Sequence, residues 1–202
     1  MPLLDRMLSE SGIEREELDA VAVSAGPGSF TGLRIGVATG RGLAQGLAIP
    51  AVPVCTLAAL AEAVPAPGAL ICPLLDARRS QVYTAIYQRE SATPLNLETV
   101  LEPAALNLSD LIKALQQGEI SDKRVVFLGE GLQGYAEELQ QALPGRALIT
   151  PAPFRVCRAA LVALCGRRLL QANPGASYLD LLPNYLRRPE AERLAAEKKE
   201  RD

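Results

Sequence analysis

The sequence predicts an α/β fold, and three stretches carry that prediction. Residues 21–25 (VAVSA) are a short apolar run that meets a break at Gly26, Pro27 and Gly28. The weakly polar segment Phe30–Leu47 follows, with Ser29 placed to cap its first turn through the hydroxyl. A second apolar run at 51–54 completes strand, helix, strand, the pattern of a right-handed βαβ unit.

Taken in order, residues 1–11 read as a helix with Leu3, Leu4, Met7 and Leu8 on one side, ending at Gly12. Residues 14–18 are a polar turn or short helix. After the βαβ unit, Thr56 is placed to cap a helix over 57–63, and 65–68 is a loop. Residues 69–75 form a strong strand, and Asp76, Ala77, Arg78 and Arg79 form a turn. Residues 81–88 then alternate in polarity, so the pair reads as a β-hairpin. A further strand is expected at 96–101, and an amphipathic helix at 108–117 with Ser109 as its cap. The strand 125–128 runs into Gly129, Glu130 and Gly131. Helices are expected at 135–143 and 155–172, then the compact aromatic PNYLR at 183–187 and a charged tail at 188–202. Two units follow from this order, 1–92 and 93–187, with the last helix free to return to the first unit.

The helix over Phe30–Leu47 is unusual. At ~100° per residue, Phe30, Leu33, Val37, Gly40, Ala44 and Leu47 share one apolar arc. Ile35, Gly36, Thr39, Gly42, Leu43 and Gly46 share a second arc of small and apolar residues. Only Arg34, Arg41 and Gln45 interrupt them. A helix apolar nearly all round is buried on two sides. Its five glycines, Gly32, Gly36, Gly40, Gly42 and Gly46, each cost about 1 kcal/mol against alanine. One arc should pack on the chain's own sheet; the other is either a second core layer or a partner surface.

Composition excludes several classes. A net charge of −2 over 202 residues gives no bulk basic field for nucleic acid or anionic membrane. No apolar run is long enough to span a bilayer, so a soluble cytoplasmic protein is expected. The chain has no histidine, which removes His-based triads and most transition-metal sites. Cys55, Cys72, Cys157 and Cys165 lie in apolar contexts without a C-x-x-C pair, so buried free thiols are expected, not zinc. The glycine turn also misses both nucleotide fingerprints. Gly32 is followed by Leu33 and Arg34 instead of Lys and Ser/Thr. Gly26, Gly28 and Gly32 are spaced G-x-G-x-x-x-G, one residue too wide for the dinucleotide motif.

The block GPGSFTGLRIG at 26–36, with GLA at 42–44 and again at 46–48, resembles the signature of the TsaB (YeaZ) family. Collinear support comes from Thr56-Leu57, Asp76-Ala77-Arg78 with Val82-Tyr83, Gly129-Glu130-Gly131 and P-x-Y-L-R at 183–187. The resemblance implies an actin/sugar-kinase-like (ASKHA) fold in two subdomains. It implies a non-catalytic dimerisation subunit of the tRNA threonylcarbamoyladenosine machinery, with no cofactor, metal or catalytic residue of its own. Its partners would be the TsaD-type catalytic subunit, the TsaE-type ATPase and, through them, tRNA; a homodimer is the other possibility. The glycoprotease label of the wider family finds no support, since the metal-binding histidines of the catalytic relatives have no counterpart here. Family members begin further upstream, with antiparallel strands before the first helix. This chain is therefore expected to lack those strands, through a shortened or misassigned start, leaving strand 21–25 with an open edge.

Carried over, the first two helices supply the partner face: Leu4, Met7, Leu8 and Ser11 with Ile35, Gly36, Thr39, Leu43 and Gly46. The plain alternative is that Leu4, Met7 and Leu8 are core. The signature loop is Gly26, Pro27, Gly28, Ser29, Phe30, Thr31, Gly32 and Arg34. Arg34 and Arg41 border the interface or meet RNA phosphate, with a solvated face as the plain alternative. The rival reading is an ASKHA-fold nucleotide-dependent phosphotransferase. In it Asp76 anchors a metal and the Gly129–Gly131 turn touches phosphate or adenosine. The plain alternative for Asp76 is a turn residue capping its own backbone.

Overall fold

In the computed structural model, which describes residues 2–90 and 97–187, two sheets share one protein. β1 (Val21–Gly26) and β2 (Ala51–Cys55) pair in parallel, Val21 opposite Ala51 and Ser24 opposite Val54. Between them in sequence runs α2 (Phe30–Leu47), capped by Ser29, whose Oγ accepts from the Gly32 amide at 3.4 Å. Side chains alternate along a strand, so β1 has two different neighbours. Val21 and Val23 pack with Val37 and Ala44 of α2. Ala22 turns the other way, into a cluster with Val54 of β2 and Val162 of α6 (Ala159–Ala172). Both helices turn glycine towards β1, Gly36 and Gly40 from α2 and Gly166 from α6. A Cβ at Gly40 would collide with Val23, and one at Gly166 with Ala22. Among the described residues, β1 pairs with β2 alone.

The second sheet has the order β5–β4–β3–β6–β7. β3 (Leu70–Asp76) and β4 (Gln81–Arg89) form the expected antiparallel hairpin. β5 (Leu97–Asn107) adds antiparallel to β4, and β6 (Val125–Leu128) and β7 (Ala147–Ile149) add in parallel beyond β3. Period-2 alternation again decides the layers. Leu70, Cys72, Leu74, Val82, Ile86, Val125 and Phe127 face α4 (Leu108–Leu115) and α5 (Ala136–Ala142). Ile71, Leu75, Ala85, Tyr87 and Leu128 face α3 (Thr56–Ala61). Five of the six α3 residues are buried, because α3 lies against β3, β1, β2 and α6 together. It is the joint between the sheets.

Several local expectations are corrected. Thr56 is the first helical residue of α3, not its cap. Its hydroxyl lies 2.6 Å from that of Ser24, so it ties α3 to β1. Asn107, not Ser109, precedes α4. The strand expected at 96–101 runs on to Asn107. Pro103 and two glutamates, Glu98 and Glu102, sit on this outer edge, where they discourage further pairing. α6 starts at Ala159 instead of 155, after a 3-10 turn at Ala152–Phe154. Arg155 and Arg158 fasten that stretch by donating to the Thr150 and Pro153 carbonyls. Of the four cysteines only Cys72 is fully buried; the other three are half-buried.

β4 and β5 pair from Gln81 opposite Asn107 to Arg89 opposite Leu97. A division at 92 therefore falls between two strands of one sheet, and the β3–β4 hairpin belongs to the second layer. α6 packs against β1 and β2. The boundary expected between 92 and 93 and the charged tail at 188–202 lie outside the described residues.

Candidate functional site

The arc of α2 read as core is buried, and the second arc is largely accessible except at Gly36, where an added Cβ would lie 3.9 Å from Val23 of β1. Leu33, Val37, Gly40 and Ala44 are buried against the chain's own sheet. On the second arc Ile35 is 63% exposed; Thr39 and Leu43 are half-buried and Gly46 is exposed, while half-buried Gly36 borders β1. Cβ atoms added at Gly42 and Gly46 would meet nothing within 4 Å. Nothing among the described residues uses their smallness.

α1 (Pro2–Ser11) is lightly attached and has one buried residue, Leu8, at 7% exposure. Met7 is 55% and Leu3 83% exposed, Ser11 is exposed, and Leu4 is half-buried. Leu8 is thus corrected from partner contact to core. Leu3, which was not singled out for the partner face, joins Met7 and Ser11 along one shallow groove. α1 and α2 share no broad contact, so the structure does not fuse their outer residues into one continuous face.

A cleft of about 590 Å³ opens between the signature loop and the β3–β4 turn. Pro27, Gly28, Ser29, Phe30 and Thr31 form one wall, Asp76–Arg79 with Glu130 the other, and 184–187 lines the floor. The elements named by the rival reading do meet here, yet each has a structural occupation. Asp76 accepts the Arg78 amide at 2.6 Å, closing its own turn. A Cβ at Gly129, which has φ +99, would strike the Leu74 carbonyl, and one at Gly131 would crowd the Leu75–Asp76 peptide. Those glycines let the chain cross β3. Gly26, at φ +132, does the same beneath the Asn184 carbonyl.

PNYLR was read as compact, but its partners were not foreseen. The Asn184 amide donates to the Ala25 carbonyl at 2.7 Å. Arg34 Nε donates to the Tyr185 hydroxyl at 3.0 Å, its guanidinium carbon lying 4.0 Å from the centre of the Phe30 ring. The Phe30 and Tyr185 rings are 5.1 Å apart. Arg187 Nη1 donates to the Ala77 carbonyl. Arg34 is exposed and makes these contacts within the chain. Tyr and Arg at two-residue spacing were the signal; what they reach lies over a hundred residues away and cannot be read from spacing.

Burial works against activation of three thiols, Cys72, Cys157 and Cys165. Burial pushes Cys72 up to about 12, against a smaller lowering by its contact with Thr84, and burial pushes Cys165 up to about 11. Burial, helped by Cys55, raises Cys157 as well. Such thiols stay protonated and poor as nucleophiles or metal ligands near neutrality. Among the described residues no group of three Cys, Asp or Glu is arranged to hold a metal, and no helix is long and apolar enough to cross a membrane.

The family model described as TsaD, tRNA N6-adenosine threonylcarbamoyltransferase, matches residues 1–195. The tRNA threonylcarbamoyladenosine biosynthesis protein TsaB of Bacillus subtilis is 33% identical over 192 residues, covering 95% of this chain and 80% of that protein. The protein of the same name from Haemophilus influenzae is 26% identical, covering 93% and 78%. The solved structure of YeaZ from Pseudomonas aeruginosa superposes with a TM-score of 0.73 at 26% identity, over 92% of this chain and 82% of that one. Sequence and architecture agree from α1 to the PNYLR segment, and the chain belongs to the TsaB (YeaZ) family, with an ASKHA-like fold and a role in tRNA threonylcarbamoyladenosine biosynthesis.

Proposed function

We propose that this chain is the non-catalytic partner of a TsaD-type subunit, which it holds and activates through the outer arc of α2. The observation that carries the reading is that arc: Ile35 exposed among Gly36, Thr39, Leu43 and Gly46, with Gly42 and Gly46 facing open space. A glycine in a helix interior costs stability and must return something elsewhere. At Gly42 and Gly46 nothing among the described residues approaches closely enough to use it. Small residues flanking an apolar knob let a second helix come near and bury the knob, the anatomy of a packed interface core. The exposed side of α1, Leu3 with Met7 and Ser11, extends the surface as a second patch. A TsaE-type ATPase joins the assembled pair, tRNA is engaged through the complex, and a second copy of this chain competes for the same arc. The working compartment is the cytoplasm.

The experiment is a titration of the purified TsaD-type subunit with wild type, Ile35→Glu and Leu43→Glu. Each charge placed in the arc should abolish association at micromolar concentrations while the circular-dichroism spectrum and melting curve stay as in wild type. Unchanged association would overturn the reading.

The rival, a nucleotide-dependent phosphotransferase, has one favourable observation, the cleft lined by Ser29, Asp76 and Glu130. Calorimetric titration with Mg-ATP decides it: tight binding revives the enzyme, and absence of heat leaves the partner reading in place.

A further inference from the structure

We infer that residues 181–187 form a strap that holds α2, the proposed partner helix, in register with the β3–β4 turn of the other sheet, with Arg187 as its clasp. The inference rests on the partner reading only for its consequence, not for the strap itself.

Four contacts in seven residues define it, each to a different place. Leu181 is fully buried with Val37, Ala44 and Ala51, and it also backs Gly40. Asn184 binds the last turn of β1 through the Ala25 carbonyl, with its own carbonyl seated over Gly26. Tyr185 accepts from Arg34 and packs on Phe30, fixing the first two turns of α2. Arg187 then crosses to the Ala77 carbonyl, one residue beyond β3. One short segment thus touches the middle of α2, its N-terminus, the end of β1 and the second sheet.

The far anchor is a turn that needs holding. Arg78, Arg79 and Ser80 are three consecutive non-glycine residues in the left-handed region, at φ 61, 54 and 58. Each such residue is disfavoured and persists only where its surroundings over-determine it. Asp76 secures the turn from inside through the Arg78 amide, and Arg187 secures it from outside through the Ala77 carbonyl. Hydrogen bonds to a charged donor are the stronger kind. The strap and the strained turn therefore stabilise each other, and α2 is attached to both through Tyr185.

Two variants separate a strap from ordinary packing. Arg187→Met keeps the aliphatic stem and removes the donor; Arg187→Lys restores a cationic donor. Amide hydrogen exchange on the isolated protein is read at Ala77 and Gln81 in the turn, at 33–37 in α2, and at Phe127 as a core reference. Arg187→Met should speed exchange about tenfold at both the turn and α2, leave Phe127 unchanged, and weaken the TsaD-type subunit's binding several-fold; Arg187→Lys should recover most of both losses. Faster exchange at the turn alone, with α2 as in wild type, would overturn the strap. If Arg187→Met does not fold, Tyr185→Phe tests the other end: it keeps the ring against Phe30 and removes the acceptor for Arg34. Faster exchange across 77–81 as well as 33–37 supports the strap, and a change confined to α2 refutes it. Exchange is measured without partner, so it succeeds or fails independently of the partner reading.

Discussion

The glycines of α2 make opposite predictions from one structure. Gly42 and Gly46 have open space where a Cβ would go, whereas Gly40 lies against Val23 and Leu181. Replacing a solvent-facing helical glycine by alanine reduces the unfolded chain's freedom and gains about 1 kcal/mol in a helix interior. For a chain of this size that is about 2–4 °C in melting temperature. Gly42→Ala should show the full gain; Gly46→Ala, in the last turn, should show less. Gly40→Ala should lose about 1–3 kcal/mol, because β1 and Leu181 must move aside. The same alanines should then divide by function. On the arc, a methyl group holds a partner helix off, so Gly42→Ala and Gly46→Ala should bind the TsaD-type subunit about tenfold more weakly while melting higher. Urea titrations and a binding titration on the same three preparations measure both sides. If the two outer alanines are more stable and bind as wild type does, close approach at the arc is refuted. If Gly40→Ala is as stable as wild type, the assignment of the inner arc to the core is refuted instead.

Two further outcomes follow from the interior. Arg89 and Glu62 form an ion pair whose side chains are 1% and 5% exposed, between the end of β4 and the end of α3. Glu62→Ala should cost about 3 kcal/mol in urea unfolding by leaving the guanidinium undercompensated, and the paired replacement Glu62→Leu with Arg89→Met should cost less than that single change. Cys72 gives a pH signature. Its thiol ionises at about 12 when folded and at 9.0 otherwise, so below pH 9 both states hold the proton and nothing is lost. As pH rises from 9 towards 12 the unfolded chain loses the proton and the folded chain keeps it. Stability should therefore fall with rising pH in that window, by up to about 1.4 kcal/mol per pH unit for this group. Cys165 acts in the same direction. Cys72→Ala should unfold with a visibly shallower slope between pH 9 and 11; identical slopes would refute the burial argument.

Much of the architecture was legible because local chemistry and tertiary context agree. The two faces of α2, the hairpin at 69–88 and the buried strand at 125–128 all show a period that burial later matches. Misreadings arose where a side chain's tertiary partner outweighed its local role. Thr56 sits where a cap belongs, but its hydroxyl is already held by Ser24, thirty-two residues away. Arg155 begins a helix-compatible run, but its guanidinium secures the Thr150 carbonyl and delays the helix to Ala159. Leu8 and Met7 are neighbours with the same helical preference, and which turns inward depends on contacts that no periodicity encodes. The strap was hardest to see, since PNYLR is legible as a compact segment but Asn184, Tyr185 and Arg187 each find a partner far away in the chain.

The signature block and the strap explain one another. Between 26 and 36 a phosphate loop would leave its amides and helix terminus open to a ligand. Here Asn184 covers Gly26, and Tyr185 covers Phe30 and Arg34. Gly26 needs both a positive φ and room for the Asn184 carbonyl. Arg34 needs both the Phe30 face and the Tyr185 hydroxyl. Three residues of 26–36, Gly26, Phe30 and Arg34, are therefore those the strap occupies. The strap takes up the inner and N-terminal surfaces of α2 and leaves the Ile35–Leu43 side uncovered, which is the surface a partner helix would need.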